Sequence, residues 1–365
     1  MRQVHQLIAG ANIGDAITNY AFEIKNIFNN AGIISYIFSP IIHTAPEYMQ
    51  SNSVRNQEEL PSIINDNDIL IYHYSIGSTS TEIYMGLNCQ KAICYHNITP
   101  KKYFKTLSKE QSNDLEAGRK KLIELKDSTI VAFADSNYNR LELEELGYKN
   151  TKTVPLVFPT SYLNIKPTMG IINKYSDDYI NFLFVGRVVP NKRFEDIIKM
   201  FVIYNKTINT KSRLFLVGSH VGNEKYYTFL KSLSIDLGCK SSVFFSGQVT
   251  TNDLVAYYNI GNVFICLSEH EGFGLPLIES MHFNIPVFAL NNAAIPETLG
   301  GAGVLIKEKN HIKIAELINS VLSKPELKKE ILEKQKKRVE DFSLNSLKKN
   351  LSKLLNDFFS FELKI

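Results

Sequence analysis

No run of about 18 apolar residues occurs anywhere in the chain, so nothing in it reads as a transmembrane helix. The opening MRQVHQLIAGANIGD has an apolar stretch far too short for the core of a signal peptide, and a cytoplasmic location is the expectation. Cysteine is scarce. The four, Cys89, Cys94, Cys239 and Cys266, show no C-x-x-C spacing, and three lie in apolar or strand-like surroundings, which points to buried reduced thiols and away from zinc or a disulfide framework. Net charge is scarce too: at +4, with no dense Lys/Arg stripe interleaved with aromatics, the chain does not read as a binder of nucleic acid. A repeat of fixed short period is also missing.

What is present has a globular balance, 44% apolar and 21% charged. A chain of 365 residues exceeds the size at which one core stops growing, so two domains with a ligand cleft between them are expected. Two segments are locally basic. The stretch from Lys324 to Arg338 alternates Lys with Glu326, Glu330 and Glu333 and reads as a solvated helix with i,i+4 pairs. Lys101-Lys102-Tyr103-Phe104-Lys105 mixes charge with aromatics and has two readings, a solvated loop or a peripheral contact of the N-terminal domain with anionic lipid at the inner face of the plasma membrane.

Short β-rich runs alternate with helical patterns from end to end, the signature of α/β domains with parallel sheets covered on both faces. The first set of strands is expected at 4–8, 33–38, 69–73, 92–96, 130–134 and near Val154. A helix from Asp15 to Ala31, and another capped by Ser136 and stopped at Gly147, lie between them. The stretch 155–178 carries Pro155, Pro159, Pro167 and Gly170 without a sustained period and reads as the linker. A second set of strands follows at 182–185, 214–217, 243–245, 263–265, 287–290 and 304–306. The expected domains are therefore 1–160 and 175–339, with a terminal helix in 340–365 crossing back to the first.

The most informative segment is Glu269-His270-Glu271-Gly272-Phe273-Gly274-Leu275-Pro276-Leu277-Ile278-Glu279. It follows a buried strand and opens a helix, with Pro276 suited to the first turn. Gly272 and Gly274 let the backbone approach a ligand, and a helix N-terminus presents N–H groups to an anion. Two carboxylates beside an anion site suit a ligand rich in hydroxyls. Taken singly, Glu271 reads as solvated and Glu279 as a first-turn acid favouring the helix dipole.

This E-x7-E pattern with G-F-G inside it resembles the signature of glycosyltransferase family 4, retaining enzymes of the two-domain GT-B fold. The resemblance implies that Glu271 and the backbone of Gly272, Phe273, Gly274 and Leu275 hold a donor sugar and that Glu279 binds its ribose. The segment from Asn291 to Gly303, with Ala293-Ala294-Ile295-Pro296-Glu297, continues like the same family. Phe184-Val185-Gly186-Arg187-Val188-Val189-Pro190-Asn191-Lys192 is similar to its G-R-x4-K, in which two cations neutralise the leaving diphosphate. From the residues alone, Arg187 and Lys192 flank a tight turn, with Arg supplying a fork and Lys a point charge.

In the first domain Gly10-Ala11-Asn12-Ile13-Gly14-Asp15 is not G-x-G-x-x-G and argues against a dinucleotide site. The resemblance puts a phosphate-contacting glycine loop there, with Gly14 as the contact, although the double glycine common in the family is absent. Tyr95-His96-Asn97-Ile98-Thr99-Pro100 is similar to an H-N-I-T-P of bacterial members, which implies that His96 lies near the reacting sugar through its main chain. Gln248 and Val249, after a strand of the second domain, are the implied neighbours of the nucleotide base. Asp66-Asn67-Asp68 matches the D-x-D metal motif of a different fold and is read as a decoy, so no metal is expected.

Together these imply a metal-independent transfer with retention at the anomeric carbon. A hexose would pass from GDP-mannose or a UDP-hexose to a hydroxyl of a glycan or lipid-linked glycan in cell-surface polysaccharide, lipopolysaccharide or O-antigen synthesis. A non-catalytic GT-B paralogue that binds sugar or acts as a scaffold is the alternative.

Overall fold

The computed structural model describes residues 2–158, 162 and 164–363. The chain divides into two compact units, Met1–Pro159 with Phe342–Ile365, and Thr160–Asp341.

The first unit has seven strands: β1 Val4–Ile8, β2 Ile37–Ser39, β3 Arg55–Asn56, β4 Ile69–Tyr74, β5 Gln90–Tyr95, β6 Val131–Ala134 and β7 Thr151–Thr153. They pair in parallel in the order β3-β2-β1-β4-β5-β6-β7. Every residue of β1, β4 and β6 is buried, as a sheet covered by helices on both faces requires. The first crossover helix, Ala16–Asn30, starts where the Asp15 carboxylate accepts from Thr18 N and inserts Tyr20, Ile24, Ile27 and Phe28 at helical spacing. Ser136 caps the helix Asn137–Glu145, and Gly147 leaves it at φ +92°. The closing helix Leu344–Phe359 belongs to this unit and buries Leu347, Leu351, Leu354, Leu355 and Phe359. Arg2 ties it down by donating to the Phe359 carbonyl at 2.7 Å, and the Phe158 N–H donates to Phe342 O at 3.0 Å.

The second unit repeats the plan with six strands: β8 Ile180–Val185, β9 Ser212–Val217, β10 Val243–Gly247, β11 Val263–Cys266, β12 Val287–Leu290 and β13 Val304–Ile306. Their order is β10-β9-β8-β11-β12-β13, again all parallel. In each sheet the winding reverses beside the first strand, at β1/β4 and at β8/β11. That reversal opens a crevice at the carboxyl ends of the strands, where open α/β sheets take their ligands.

Three elements depart from the sequence reading. The strand expected at 33–38 forms only from Ile37, as β2. A helix, Met169–Tyr175, lies inside the stretch read as linker. It is too short for a periodic signal and is held from outside: Thr168 Oγ1 donates to Asp253 Oδ1 at 2.6 Å, and Tyr175 packs edge-on to Phe215. The two-residue strand β3 was likewise not anticipated. All four cysteines are buried and unbridged. No helix among the described residues is long and apolar enough to cross a membrane.

Candidate functional site

The second unit's crevice is built by the loops after β8 and β11. Chain from β8 runs through Gly186 and Arg187 to a short turn at Pro190–Lys192, and Arg193 at φ +54° redirects it into the helix Phe194–Thr207. The loop after β11 holds Glu271, Gly272 and Phe273. Gly274, at φ +90°, then turns the chain into the helix Leu275–His282, with Pro276 in its first turn.

Lys192 and Glu271, 79 positions apart, meet across the crevice in an ion pair with side chains 20% and 9% exposed. Glu271 is therefore buried and paired, not solvated. Arg187 is exposed and makes no side-chain hydrogen bond or ion pair among the described residues. A cation left unneutralised beside a crevice is available to an anionic ligand.

A layer beneath holds this loop in place; its members Asn191, Glu269 and Ala294 stand inside the quoted motifs, but their supporting role, and Lys309 and Asp196, were not singled out. Asn191 donates to the His270 carbonyl at 3.0 Å and accepts, through its own carbonyl, the Glu269 N–H at 2.8 Å. From the far side Asn292 donates to Glu269 O at 2.8 Å, Thr298 to Phe273 O at 2.6 Å, and the Ala294 N–H to Glu271 O at 3.3 Å. Lys309 bridges Glu269 at 2.6 Å and Asp196 at 3.0 Å. Burial raises the Asp196 carboxyl, but its bonds to Arg193 and Lys309 outweigh that and hold it below the usual range. Glu269 is thus committed to structure, and Glu271 is the acid turned toward the crevice.

Glu279 lies in the second turn of its helix, not the first, and is 4% exposed. Tyr258 and Tyr162 donate to its carboxylate. Burial pushes its carboxyl up to about 7, against these hydrogen bonds, which lower it. A carboxyl raised on folding contributes stability that is complete below its unfolded value and is lost as pH rises through its folded one. Glu279→Gln should therefore gain on the wild type as pH climbs from about 4.5 to about 7. The gain should level off above that at about 3 kcal/mol at most. Urea unfolding of both proteins across this range checks it, and a pH-independent difference would contradict it.

Gly186 and Gly218 let two loops touch: a Cβ on Gly218 would lie 2.0 Å from the Gly186 carbonyl oxygen. Gln248 is exposed and Val249 half-buried, just beyond β10.

In the first unit a cavity of about 580 Å³ opens at the β1/β4 reversal, lined among others by Asn12, Asp15, His43, Ser75, Ser78 and Asp114. No Lys or Arg lines it. The Asp15 carboxylate already occupies the N-terminus of the helix Ala16–Asn30, accepting from Thr18 N and Thr18 Oγ1 at 2.8 Å each, so an anion finds no open seat there. Gly14, at φ +77°, is exposed with nothing within 4 Å of where a Cβ would stand. The His96 ring is buried, with its side chain 2% exposed and its Nδ1 2.9 Å from Asp135 Oδ2, while the residue as a whole is half-buried. What His96 offers to solvent is its main chain. Asp68 of the D-x-D run accepts from Gln3 N at 2.7 Å and Asn65 N at 2.9 Å and anchors a strand end. Lys101 is paired with Glu116 at 2.5 Å, and Lys334 with Glu330 at 2.7 Å.

Residues 169–338 match the protein family described as glycosyl transferases group 1. The chain is 28% identical over 244 residues to the capsular polysaccharide biosynthesis glycosyltransferase CapM of Staphylococcus aureus, covering 63% of this chain and 61% of that one. It is 25% identical over 200 residues to O-antigen chain mannosyltransferase B of Escherichia coli, covering 53% and 51%. The matches thus span between half and two thirds of these relatives' length. Among solved structures, sucrose-phosphate synthase from Thermosynechococcus elongatus aligns with a TM-score of 0.75 at 18% identity, over 98% of this chain and all of that one. Anabaena HepE in complex with UDP-glucose aligns with a TM-score of 0.78 at 14% identity, over 98% and 100%. Likeness at such identities speaks for the fold. The chain therefore has the two-domain GT-B fold of Rossmann-like units, and its second unit carries the segment characteristic of the group 1 glycosyl transferases.

Proposed function

We propose that the protein is a retaining glycosyltransferase. It moves a hexose from a nucleoside diphosphate sugar to a hydroxyl of a glycan, in the assembly of a cell-surface polysaccharide. The observation that carries this reading is the Lys192–Glu271 pair at the β8/β11 reversal, beside the N-terminus of Leu275–His282 and the unpaired Arg187. Cation, carboxylate and helix end are the three partners that a diphosphate joined to a sugar requires. The names of the relatives, a capsular glycosyltransferase and an O-antigen mannosyltransferase, support the polysaccharide setting.

In this reading Arg187 and Lys192 stabilise the departing diphosphate, and a donor phosphate competes with Glu271 for Lys192, freeing the carboxylate for sugar hydroxyls. Gly186 and the backbone from Gly272 to Leu275 line the donor, Gln248 and Val249 neighbour the base, and Glu279 serves the ribose from behind its tyrosines. Gly14 and the main chain of His96 are first-unit contacts to the donor. The leaving phosphate accepts the acceptor's proton, because no carboxylate here is placed as a nucleophile. The cavity of the first unit, rich in hydroxyl and carboxylate groups and free of cations, suits an uncharged saccharide end of the acceptor.

A thermal-shift panel of UDP-, GDP- and ADP-sugars tests donor binding. A true donor at 100 times its dissociation constant stabilises by about 2.7 kcal/mol. Proton NMR of the transferred sugar then reads the anomeric configuration, and inversion would refute retention. Turnover is expected to survive EDTA, because the leaving charge already meets two cations. Loss of activity that Mg²⁺ or Mn²⁺ restores would overturn that expectation. A chain that neither transfers sugar nor hydrolyses any donor, while still binding one, would be a non-catalytic paralogue.

A further inference from the structure

Four buried polar side chains form a continuous hydrogen-bonded row across the first sheet. Gln6 stands in β1, His73 in β4, His96 just past β5 and Asp135 just past β6, on four neighbouring strands. Register explains their meeting. Gln6 pairs with Ile71, His73 with Cys94 and Tyr95 with Ala134, so moving two residues onward on β4 and again on β5 keeps each side chain on one face.

The bond directions fix where the protons are. Gln6 Nε2 donates to Ala21 O at 3.0 Å, which turns Gln6 Oε1 to His73 Nε2 at 2.9 Å. An amide oxygen only accepts, so His73 Nε2 carries hydrogen. Burial, with His96 beside it, holds the His73 imidazole well below its ordinary value, so the ring is neutral and its Nδ1 is a lone pair. His96 Nε2, 2.9 Å away, must then donate. His96 Nδ1 next faces Asp135 Oδ2 at 2.9 Å, where two lone pairs would repel, so one further proton occupies that bond. Burial raises the Asp135 carboxyl, and its Oδ1 has no partner among the described residues. Tyr20 lies edge-on to both rings.

Cys94 Sγ and the facing nitrogens of His73 and His96 all lie within 4.8 Å, which invites a metal. Ring geometry decides against one. The two imidazoles are parallel within 5° with centroids 5.2 Å apart, which is the 2.9 Å contact plus two ring radii. They lie end to end in one plane, with each facing nitrogen aimed at the other and not at a shared third point, as an N–H···N bond demands.

We propose that His73 and Asp135 are positioning residues. They clamp the His96 ring through one trapped proton and so fix the main chain of His96 and Asn97 at the carboxyl end of β5 for the donor sugar. This rests on the transferase reading. Asn97, itself buried, is held at φ +75° with its side chain donating to Asn139 Oδ1 at 2.8 Å and Glu142 Oε2 at 3.0 Å, so the clamp continues on the other side of the His96 main chain.

The full chain with ¹⁵N-labelled histidine tests the proton assignment by long-range ¹H–¹⁵N correlation. His73 should appear as the Nε2–H tautomer, unchanged from about pH 6 to about pH 8, with a hydrogen on His96 Nε2 in the bond between the rings. A titrating His73, its Nδ1–H tautomer, or one equivalent of zinc in the purified chain would overturn it. In kinetics, D135N still offers an N–H to His96 Nδ1 and should keep kcat within about threefold. D135V and H73F break the row and should lower kcat at saturating donor by about 10- to 100-fold per folded molecule. D135V with wild-type kcat, or D135N as damaged as D135V, refutes the clamp. H96A keeps the main chain and removes only the ring: full activity in H96A refutes the clamp, whereas the transferase reading fails only if the wild-type chain transfers no sugar. An impaired H96A beside intact D135V and H73F sinks the clamp alone.

Discussion

Lys192→Ala is expected to lower kcat/KM for the donor by about 10- to 150-fold, the loss of a charged hydrogen bond of about 1.5 to 3 kcal/mol. The same change removes the partner of a carboxylate whose side chain is 9% exposed, so Glu271 is left buried without its counter-charge. Stranding one member of a fully buried pair costs about 3 to 5 kcal/mol. With Lys192 one-fifth exposed, solvent screens part of this, and about 1 to 3 kcal/mol is the expectation. Stability and catalysis then separate in two further proteins. Adding Glu271→Gln to Lys192→Ala should restore stability without restoring turnover. Arg187→Ala, at an exposed side chain with no partner among the described residues, should leave stability within about 0.5 kcal/mol while still lowering turnover. Wild-type kinetics in both Lys192→Ala and Arg187→Ala would remove these cations from the reaction.

Gly218→Ala should be the most damaging single methyl group in the second unit. Gly218 stands at φ +149°, and the new Cβ would lie 2.0 Å from the oxygen and 2.6 Å from the carbon of the Gly186 carbonyl. Those atoms are backbone and cannot swing aside. Relief requires the loops after β8 and β9 to part, against the bonds Gly186 N to Val217 O at 2.9 Å and Val188 N to Ser219 O at 2.8 Å. A loss of more than about 3 kcal/mol is expected, with donor binding lost in whatever folds, because Arg187 adjoins the displaced peptide. Gly247→Ala is the control. It has φ +68° but nothing within 4 Å of its Cβ, so only backbone strain of about 1 to 2 kcal/mol applies. Equal denaturation midpoints for the two variants would show that the close approach does not matter.

Apart from β3, the strands of both sheets were legible because a parallel strand buried on both faces is a continuous apolar run, as in VHQLI and ILIYHY. Caps were legible for a local reason: Asp15, Ser136 and Pro276 act on backbone within a few residues of themselves. Met169–Tyr175 escaped because what holds it, Asp253 and Phe215, lies far along the chain. Glu279 shows the same limit. Its place in the E-x7-E spacing is visible, but its burial under Tyr258 and Tyr162 depends on which way one helix is rotated. The row from Gln6 to Asp135 leaves no pattern in the sequence, because each member comes from a different strand and only the inter-strand register aligns them.

The helix Leu344–Phe359 has a consequence for how the molecule is made. Residues 160–341 are contiguous, so every strand of their sheet is synthesised before that helix is translated. Residues 1–159 emerge earlier yet wait longer, since the leucine stripe that completes them, and the Phe359 carbonyl that Arg2 seeks, are translated only after residues 160–341. The older half of the newborn chain is therefore the later one to be completed, and until that helix emerges it is the half that exposes apolar surface to chaperones.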